Sequence, residues 1–428
     1  MRELTTEPIV NNRAHLSSVV RSTIALRIRG KGADKGEFEF DLFNGETPNE
    51  DGCLTGLSNL TSDRLGTYAQ NCRQAWDTAF ATVYFSGGVH QKPLHERWDT
   101  KDVGAFVDRS IMPKLAQAGD KLFKMIFEAD QEPEFRRIGE RLRVLMAERP
   151  QFLNITTDTF FAPWSLIYTH PIAGERLKSD GSNWQITGFW GYQHLLQHSS
   201  NRNDMMNILN VDADGTVTLG VNFDHQLLHS MQKLNAGGHI EELPSNGRVR
   251  RIVRTTRKEL AEVFYENRTA VEKVLYFLCH SASGETELDR DEAHLLFEDG
   301  TVSASDLKSW SVEHPQIPSK PFVFLNACKG ARVLQQHHKS LAKELVSEGA
   351  AGVVGSHIDV PIVFASEFAR RLLTRFLEHN STEGPMFGPL MNQTVRELYD
   401  AQKNPIGLSY GLFHGVSCFI AWDNSAAH

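Results

Sequence analysis

Two apolar segments of the sequence end in residues that could carry out nucleophilic catalysis. The segment VLYFLCH ends at His280, and the segment FVFLNAC ends at Cys328. Continuous apolar runs of this length predict buried strands, and sites in open α/β sheets gather at the carboxyl ends of such strands. The 48 residues from His280 to Cys328 leave room for one crossover between parallel strands. We therefore expect both residues to lie at one edge of a sheet.

An imidazole beside a thiol at such an edge is typical of cysteine catalysis. His280 would take the thiol proton of Cys328 and later give a proton to the leaving group. Each residue alone also has a structural explanation, because cysteine is among the most buried residue types and a single histidine often serves packing. The order, the spacing and the two strand ends together favour the catalytic interpretation.

Strand-like and helical segments alternate from about residue 150 onwards. Helical periodicity follows Ala331 and recurs over about 362–379, and Gly349 marks the expected end of the first of these helices. The apolar runs that predict strands lie at 216–223, 274–280, 321–328, 350–356 and 415–422. Continuous apolar strands interleaved with helices predict an α/β fold, in which a mostly parallel sheet is covered by helices on both faces.

The N-terminal part of the chain has a different pattern. Alternating apolar residues at 24–28 and 38–42 flank a glycine-rich turn, which predicts a β-hairpin, and helical spacing dominates 62–148. We therefore predict an α+β accessory region followed by a larger α/β domain. The predicted units are 1–149, and 150–428 with a first half over 150–270 and a catalytic half over 271–428.

The composition and the absence of certain motifs exclude several functional classes of protein. The chain has 428 residues and a formal net charge of −8, so the sequence predicts no direct nucleic-acid partner. It contains no apolar run long enough for a transmembrane helix and no signal-peptide pattern, so we expect a cytoplasmic protein without a membrane partner. The five cysteines include no C-x-x-C pair, and no P-loop or G-x-S-x-G motif occurs. We expect no metal and no cofactor.

Two further motifs have structural interpretations. The basic run RVRRIVRTTRK (248–258) predicts an edge strand with exposed arginines that leads into a helix, although contact with an acidic partner is an alternative. The start of that helix carries a possible capping box, Thr256 with Glu259. The Asp-Ala-Asp-Gly sequence at 212–215 predicts a turn, because it lacks the closing glutamate of a calcium loop.

The residues around Cys328 resemble known peptidases. The sequence Asn-Ala-Cys-Lys-Gly at 326–330, with His280 upstream, partly matches the caspase signature Q-A-C-[RQG]-G. A closer resemblance, over roughly 150–424, is to the CHAT peptidases, bacterial relatives of caspases and separases. Ser165 stands where that family commonly has glutamate. The matching motifs are APWSLIY, FLCHSASG, HLLFEDGTVSASDL, FLNACKGA, LAKELVSEGAAGVVGSHIDVP and LFHGVSCFIAW.

The resemblance implies roles for residues near the pair. Backbone N–H groups of Ser281, which replaces a common glycine, and of Cys328 would bind the oxyanion. Asn326 could line the substrate pocket or brace the site, or satisfy local backbone groups. Asp359, after the next strand, would border the pocket and favour a basic residue before the cut, unless it is a solvated loop residue or a helix cap.

The function implied is that of a cysteine endopeptidase with a caspase-like α/β core. Its substrate would be a specific protein partner, in a bacterial antiviral defence or regulated cell-death system. An activating protein partner would act through the accessory region. One alternative is a catalytically silent caspase-like scaffold that binds partner proteins. Another is a cysteine acyltransferase, although no motif for an acceptor site is present.

Overall fold

The computed structural model describes most of the chain in several segments. These are residues 23–31, 37–44, 53–81, 84–85, 92–93, 104–157, 162–199, 208–224, 227, 241–245, 247–262, 271–283, 293–311, 317–328, 341–378 and 384–422.

The strands of this part of the chain are short to medium in length. They are β1 (Thr23–Lys31), β2 (Glu37–Asn44), β3 (Cys53–Ser58), β4 (Tyr84–Phe85), β5 (Lys92–Pro93), β6 (Phe152–Thr157), β7 (Leu195–Ser199), β8 (Ile208–Asn210), β9 (Val217–Phe223), β10 (Val249–Arg254), β11 (Val274–Ser283), β12 (Ala293–Phe297), β13 (Gly300–Val302), β14 (Phe322–Cys328), β15 (Gly352–Ser356), β16 (Tyr410–Phe413) and β17 (Phe419–Ala421).

The longer helices lie before β6 and after β15. The α-helices are α1 (Ser62–Ala81), α2 (Met112–Phe127), α3 (Pro133–Glu148), α4 (Trp190–Gln193), α5 (Arg257–Ala261), α6 (Ala304–Ser311), α7 (Leu341–Ser347), α8 (Ile362–Leu377) and α9 (Phe387–Gln402). A helical turn at Gly104–Phe106 and a π-helical turn at Val107–Ile111 precede α2, and 3-10 turns occur at Trp164–Leu166, Ile186–Gly188 and Ile406–Ser409.

One large, mostly parallel sheet forms the centre of the molecule. Over the described residues it has 13 strands, and its main path runs β10-β9-β11-β14-β15-β16-β7-β6-β1-β2-β3. Neighbours from β10 to β15 are parallel, and so are those from β16 to β1, while β15 and β16 are antiparallel. The carboxyl ends of β9, β11, β14 and β15 therefore share one edge of the sheet.

Helices cover both faces of this sheet. Tyr276, Leu278 and Phe324 belong to the core cluster that includes Phe364 and Phe368 of α8. The alternate residues of the same strands belong to a second cluster with residues of α5, α6 and α7; they are Leu275, Phe277, Val323 and Leu325. Burial on both faces explains why these strands are apolar without interruption. The predicted α/β fold class is confirmed.

The N-terminal hairpin joins the same sheet. β1 and β2 pair antiparallel, as the alternation predicts, and β1 pairs in parallel with β6. Ile24, Leu26 and Phe40 lie in the same core cluster as Phe324. The division at 149/150 falls between α3 and β6, and strands from both sides of it belong to one sheet.

The C-terminal strand differs from the prediction. The run at 415–422 was expected to close the strand series, but β17 pairs with β8 in a separate two-stranded sheet. The short segment β16 takes the place in the main sheet instead, antiparallel to β15. His414 at φ 53° and Gly415 at φ 75° turn the chain between β16 and β17. A four-residue strand has too little periodicity to be recognised beside a longer apolar run.

The predicted edge strand and capping box are both present. Over the described residues β10 is an edge strand of the main sheet, and Arg250 is exposed, but Arg254 at the end of the strand is buried and paired with Glu272. The Thr256 side chain accepts from the Glu259 N–H while Glu259 accepts from the Thr256 N–H, so the capping box is present. Within the described residues, no helix combines the length and the apolar character needed to cross a bilayer.

Candidate active site

His280 and Cys328 lie opposite each other on neighbouring strands. β11 and β14 are parallel, and the last Cα pair of their register is His280 with Cys328. Adjacent strands are spaced by about 4.8 Å in the hydrogen-bonding direction, which sets the scale of the separation between the two backbones. The structure thus brings together, at the carboxyl edge, the two residues that the sequence singled out.

Buried strand residues hold this pair of positions in place. Tyr276, Leu278 and Phe324 are fully buried, and position 280 continues the alternation of the first two. Position 328 likewise continues the series of Phe324 and Asn326. Residues paired across neighbouring parallel strands share a face of the sheet, so the register gives the two positions a common face.

Ser281 lies in an extension of β11 beyond His280. Strand β11 continues to Ser283 and there pairs antiparallel with β12, with Ser281 opposite Leu295. The β12–β13 hairpin therefore stands directly beyond His280. The backbone of Ser281 is fixed by this pairing, while its role as an oxyanion donor stays a prediction.

Asn326 is buried in a hydrogen-bond network two residues before Cys328. Its Nδ2 donates to Tyr276 Oη at 3.1 Å and to the Ala365 carbonyl oxygen at 2.7 Å. Tyr410 Oη donates to Asn326 Oδ1 at 2.7 Å. The amide thus ties β14 to β11, α8 and β16. Of the roles expected from the sequence, these contacts fit a brace for the strand end.

The loop from β15 to α8 (residues 356–361) borders the same edge. Ser356 Oγ donates to the Ile358 carbonyl oxygen at 2.7 Å and accepts from the Ile358 N–H at 3.1 Å. The His357 N–H donates to the Ser409 carbonyl oxygen at 2.7 Å. These bonds fold the first half of the loop back onto the end of β15.

Asp359 is exposed in this loop, and its backbone contacts the N-terminal part of the chain. The Asp359 N–H donates to Asp77 Oδ1 of α1 at 2.9 Å. Burial raises the pKa of Asp77 to about 6, and the Asp359 charge adds to this, while the Asp359 N–H and Arg73 act in the opposite direction. Burial lowers the pKa of Arg73 to about 10.

Three buried histidines surround a cavity of about 40 Å³ beside the β7/β16 junction. Burial lowers the pKa of His194 to about 3, with a contribution from Arg396, and lowers the pKa of His198 to about 3 as well. It also holds the pKa of His357 well below its usual value. Each imidazole is therefore neutral at pH 7. The volume is sufficient for a water molecule.

The described cysteines other than Cys328 differ in how accessible their thiols are. Burial raises the pKa of Cys72 to about 12 and raises that of Cys418 further, which makes both poor nucleophiles. Cys279 is buried, and Cys53 is partly exposed. Within the described part of the chain, no group of three or more His, Cys, Asp or Glu residues could hold a metal ion.

Sequence reasoning missed several residues around the site. Tyr410 lies in the unrecognised strand β16, and Tyr276 looked like an ordinary core residue. Asp77 left a detectable signal, because it shares a helix face with Trp76 and Phe80, which are both buried. A carboxylate on an apolar face needs a partner, and its partner here is 282 positions away.

The comparison with protein families agrees with the resemblance noted in the sequence. Residues 210–404 match the sequence profile of the CHAT domain family. No curated protein sequence matches the chain significantly.

Two solved structures of the Saccharomyces cerevisiae separase–securin complex are similar to the chain. The first has 8% identity and a TM-score of 0.46, and covers 95% of this chain and 31% of the separase chain. The second has 10% identity and a TM-score of 0.41, and covers 94% and 31%. The chain therefore spans less than a third of those chains.

The matched segment contains β9, β11, β14 and β15, together with both His280 and Cys328. The predicted resemblance to the CHAT family is thus confirmed over residues 210–404, which match the CHAT domain model.

Proposed function

We propose that the protein is a cysteine endopeptidase in which Cys328 is the nucleophile and His280 the general base and acid. The observation that carries the proposal is the register of β11 and β14, which pairs these two positions at the carboxyl edge of the sheet. The CHAT profile match, which includes both residues, supports it.

The proposed reaction proceeds in two steps. His280 accepts the thiol proton of Cys328, and the sulfur attacks the peptide carbonyl carbon to form a C–S bond. Backbone N–H groups of Ser281 and Cys328 stabilise the oxyanion. The C–N bond then breaks, and His280 gives its proton to the leaving amine. In the second step His280 deprotonates a water molecule, and the water oxygen attacks the thioester carbonyl carbon to form a C–O bond. The C–S bond then breaks, the carboxylic acid product leaves, and His280 returns its proton to the Cys328 sulfur.

Asp359 is the proposed selector of the residue before the cut. It is exposed in the 356–361 loop, at the carboxyl end of the strand that neighbours β14. A carboxylate at this place would form a charge-assisted hydrogen bond with an arginine or lysine side chain. We therefore propose substrates with a basic residue at that position.

The biological setting follows from the family resemblance. A specific protein substrate, an activating protein partner and a role in bacterial defence or regulated cell death are part of the proposal. A cytoplasmic location fits chemistry that needs a reduced thiol. The alternative is a catalytically silent scaffold, which would bind the same partners without cleaving them.

Mass-spectrometric profiling of a diverse peptide library tests the activity. Wild type and the matched control Cys53→Ser, which changes a partly exposed thiol far from the site, are expected to cleave the same peptides. Cys328→Ala and His280→Ala are expected to lose cleavage by at least about a thousandfold, as when a catalytic nucleophile or base is deleted. Retained cleavage by Cys328→Ala would exclude the assignment, and binding of a protein partner without cleavage would favour the scaffold.

A further inference from the structure

A carboxylate of the N-terminal region holds the backbone of the loop that carries Asp359. The Asp359 N–H donates to Asp77 Oδ1 at 2.9 Å, across 282 positions of sequence. Asp77 lies outside the segment 210–404 that matches the CHAT profile. The contact therefore joins the N-terminal region to the edge of the candidate active site.

The earlier residues of the loop are held by the loop itself and by Ser409. Ser356 closes on Ile358, and His357 donates to Ser409, so the loop is fixed up to residue 358. The bond from Asp77 fixes the next residue, Asp359. Three positions later, at Ile362, α8 begins.

Asp77 is itself firmly placed. Its helix α1 buries Trp76 and Phe80, and the Trp76 ring packs edge-to-face on Phe189 with centroids 5.8 Å apart. Asp77 is partly buried, which limits the freedom of its side chain. An ionised carboxylate accepts hydrogen bonds more strongly than a neutral oxygen, so the ionised form of Asp77 is the better acceptor for the loop.

We propose that Asp77 is a positioning residue for the peptidase site. By holding the main chain of Asp359, it keeps the 356–361 loop in the conformation that offers the Asp359 side chain to a basic substrate residue. This inference rests on the proposed function and deepens it: the position of α1 sets substrate selection. A partner that shifts α1 would then change activity without touching His280 or Cys328.

Two substitutions separate the hydrogen bond from the charge. Asp77→Asn keeps an acceptor oxygen at the same place, whereas Asp77→Ala removes it. Asp63→Ala, at an exposed aspartate in the first turn of the same helix, is the matched control. Should Asp77→Ala fail to fold, Asp77→Ser, whose hydroxyl is too short to reach Asp359, takes its place.

The rate of hydrogen exchange at the Asp359 amide measures directly whether its hydrogen bond to Asp77 is present. We expect exchange in Asp77→Ala to be about tenfold faster, as for the loss of one typical hydrogen bond, and close to wild type in Asp77→Asn and Asp63→Ala. Unchanged exchange in Asp77→Ala would overturn the proposal.

The kinetics of cleavage of a peptide with arginine before the cut measure the effect of this hydrogen bond on substrate binding. We expect Asp77→Ala to raise KM about tenfold with kcat nearly unchanged, because uniform binding is lost while the chemistry is kept. Asp77→Asn should restore KM, which a general loss of structure would not do. Faster exchange with an unaltered KM would overturn the positioning role alone. An absence of cleavage by wild type, both alone and with a cell extract that can supply the activating partner, would overturn the proposed function and the positioning role. A difference in exchange between the variants would then still show the contact itself.

Discussion

At the scale of single residues, the site depends on how Asn326 fixes the end of β14. Its amide uses both hydrogens and its oxygen on three different elements, two positions before the candidate nucleophile. A strand end that frayed would move Cys328 away from His280. The amide is therefore a structural requirement for the geometry on which the chemistry depends.

Replacing Asn326 should destabilise the protein more than removing one of its partners. Asn326→Ala leaves Tyr276, Tyr410 and the Ala365 carbonyl with lost hydrogen bonds, and we expect it to lower the free energy of unfolding by about 3 kcal/mol. Tyr410→Phe removes the hydrogen bond to Asn326 Oδ1 and should cost about 1 kcal/mol. Urea denaturation measures both values. Equal losses of unfolding free energy in the two variants would contradict the claim that the Asn326 amide holds three elements together.

The residue pair itself could be predicted from sequence, because each member ends an apolar run. The Asn326 network could not, because Ala365 and Tyr410 lie 39 and 84 positions away. Asp77 is a similar case: its place on an apolar helix face signals an unusual partner, but helical periodicity does not identify Asp359. Tertiary contacts of this range are invisible to local patterns.

At the scale of elements, β14 and β15 pack closely where both strands begin, at the edge of the sheet opposite the candidate site. Gly352 opens β15, and a methyl group at its Cβ position would lie 2.8 Å from the Phe322 ring and 2.9 Å from the Cα of Gly415. Both contacts are closer than packed atoms tolerate, so only glycine fits there.

Alanine substitutions at two glycines should therefore have opposite effects. Gly352→Ala is expected to lower the free energy of unfolding by about 1–3 kcal/mol through overpacking. Gly66→Ala in α1, where nothing lies within 4 Å of the added methyl, should raise it by about 0.5–1 kcal/mol because alanine favours helix. Chemical denaturation distinguishes these outcomes, and destabilisation of similar size at both positions would contradict the packing described.

The strands that carry the site were predictable, since β9, β11, β14 and β15 are long apolar runs bounded by turns. Strand β16 was not, because four residues give little periodicity. A strand's position in the sheet is also not encoded locally: β17 has a stronger apolar pattern than β16, yet it pairs with β8 outside the main sheet.

At the scale of the whole molecule, the strands that carry the candidate site connect to β7, β6 and β1 through the pairing of β16 with β7. That pairing consists of the single Cα pair Phe413–His198, and the histidine cavity lies beside it. Pairings such as β1 with β6 join segments far apart in sequence. For this reason the sequence could suggest a hairpin and a helical region, but not their place in the same sheet.

The buried histidines should make the fold sensitive to acid. The pKa values of His194 and His198 fall to about 3 in the folded protein, while an unfolded chain takes up protons as the pH falls below about 6.5. The free energy of unfolding is therefore unaffected by these two histidines above about pH 6.5. It falls as the pH decreases from there towards 3, by up to about 1.4 kcal/mol per pH unit for each histidine. His357 acts in the same direction. Asp77 acts in the opposite direction between about pH 6 and pH 4. Its pKa is raised to about 6 in the folded protein, against about 4 in the unfolded chain, so the folded state takes up that proton first.

Urea denaturation between pH 7 and pH 4.5 measures this dependence. We expect the free energy of unfolding to fall steadily over the interval, and His198→Gln to show a shallower slope because one proton-binding group is removed from the unfolded state. Stability that is constant across the interval would contradict the burial of neutral imidazoles at the sheet junction.

The most direct test of the account is covalent labelling with a peptidyl acyloxymethyl ketone that carries arginine at the reactive end. Because such a probe reacts with an activated thiol in the substrate site, peptide mapping by mass spectrometry identifies the nucleophile without turnover. We expect a label on Cys328 in wild type and in Cys53→Ser, and its loss in His280→Ala. A label on another cysteine, or equal labelling of Cys328 with and without His280, would contradict the central claim.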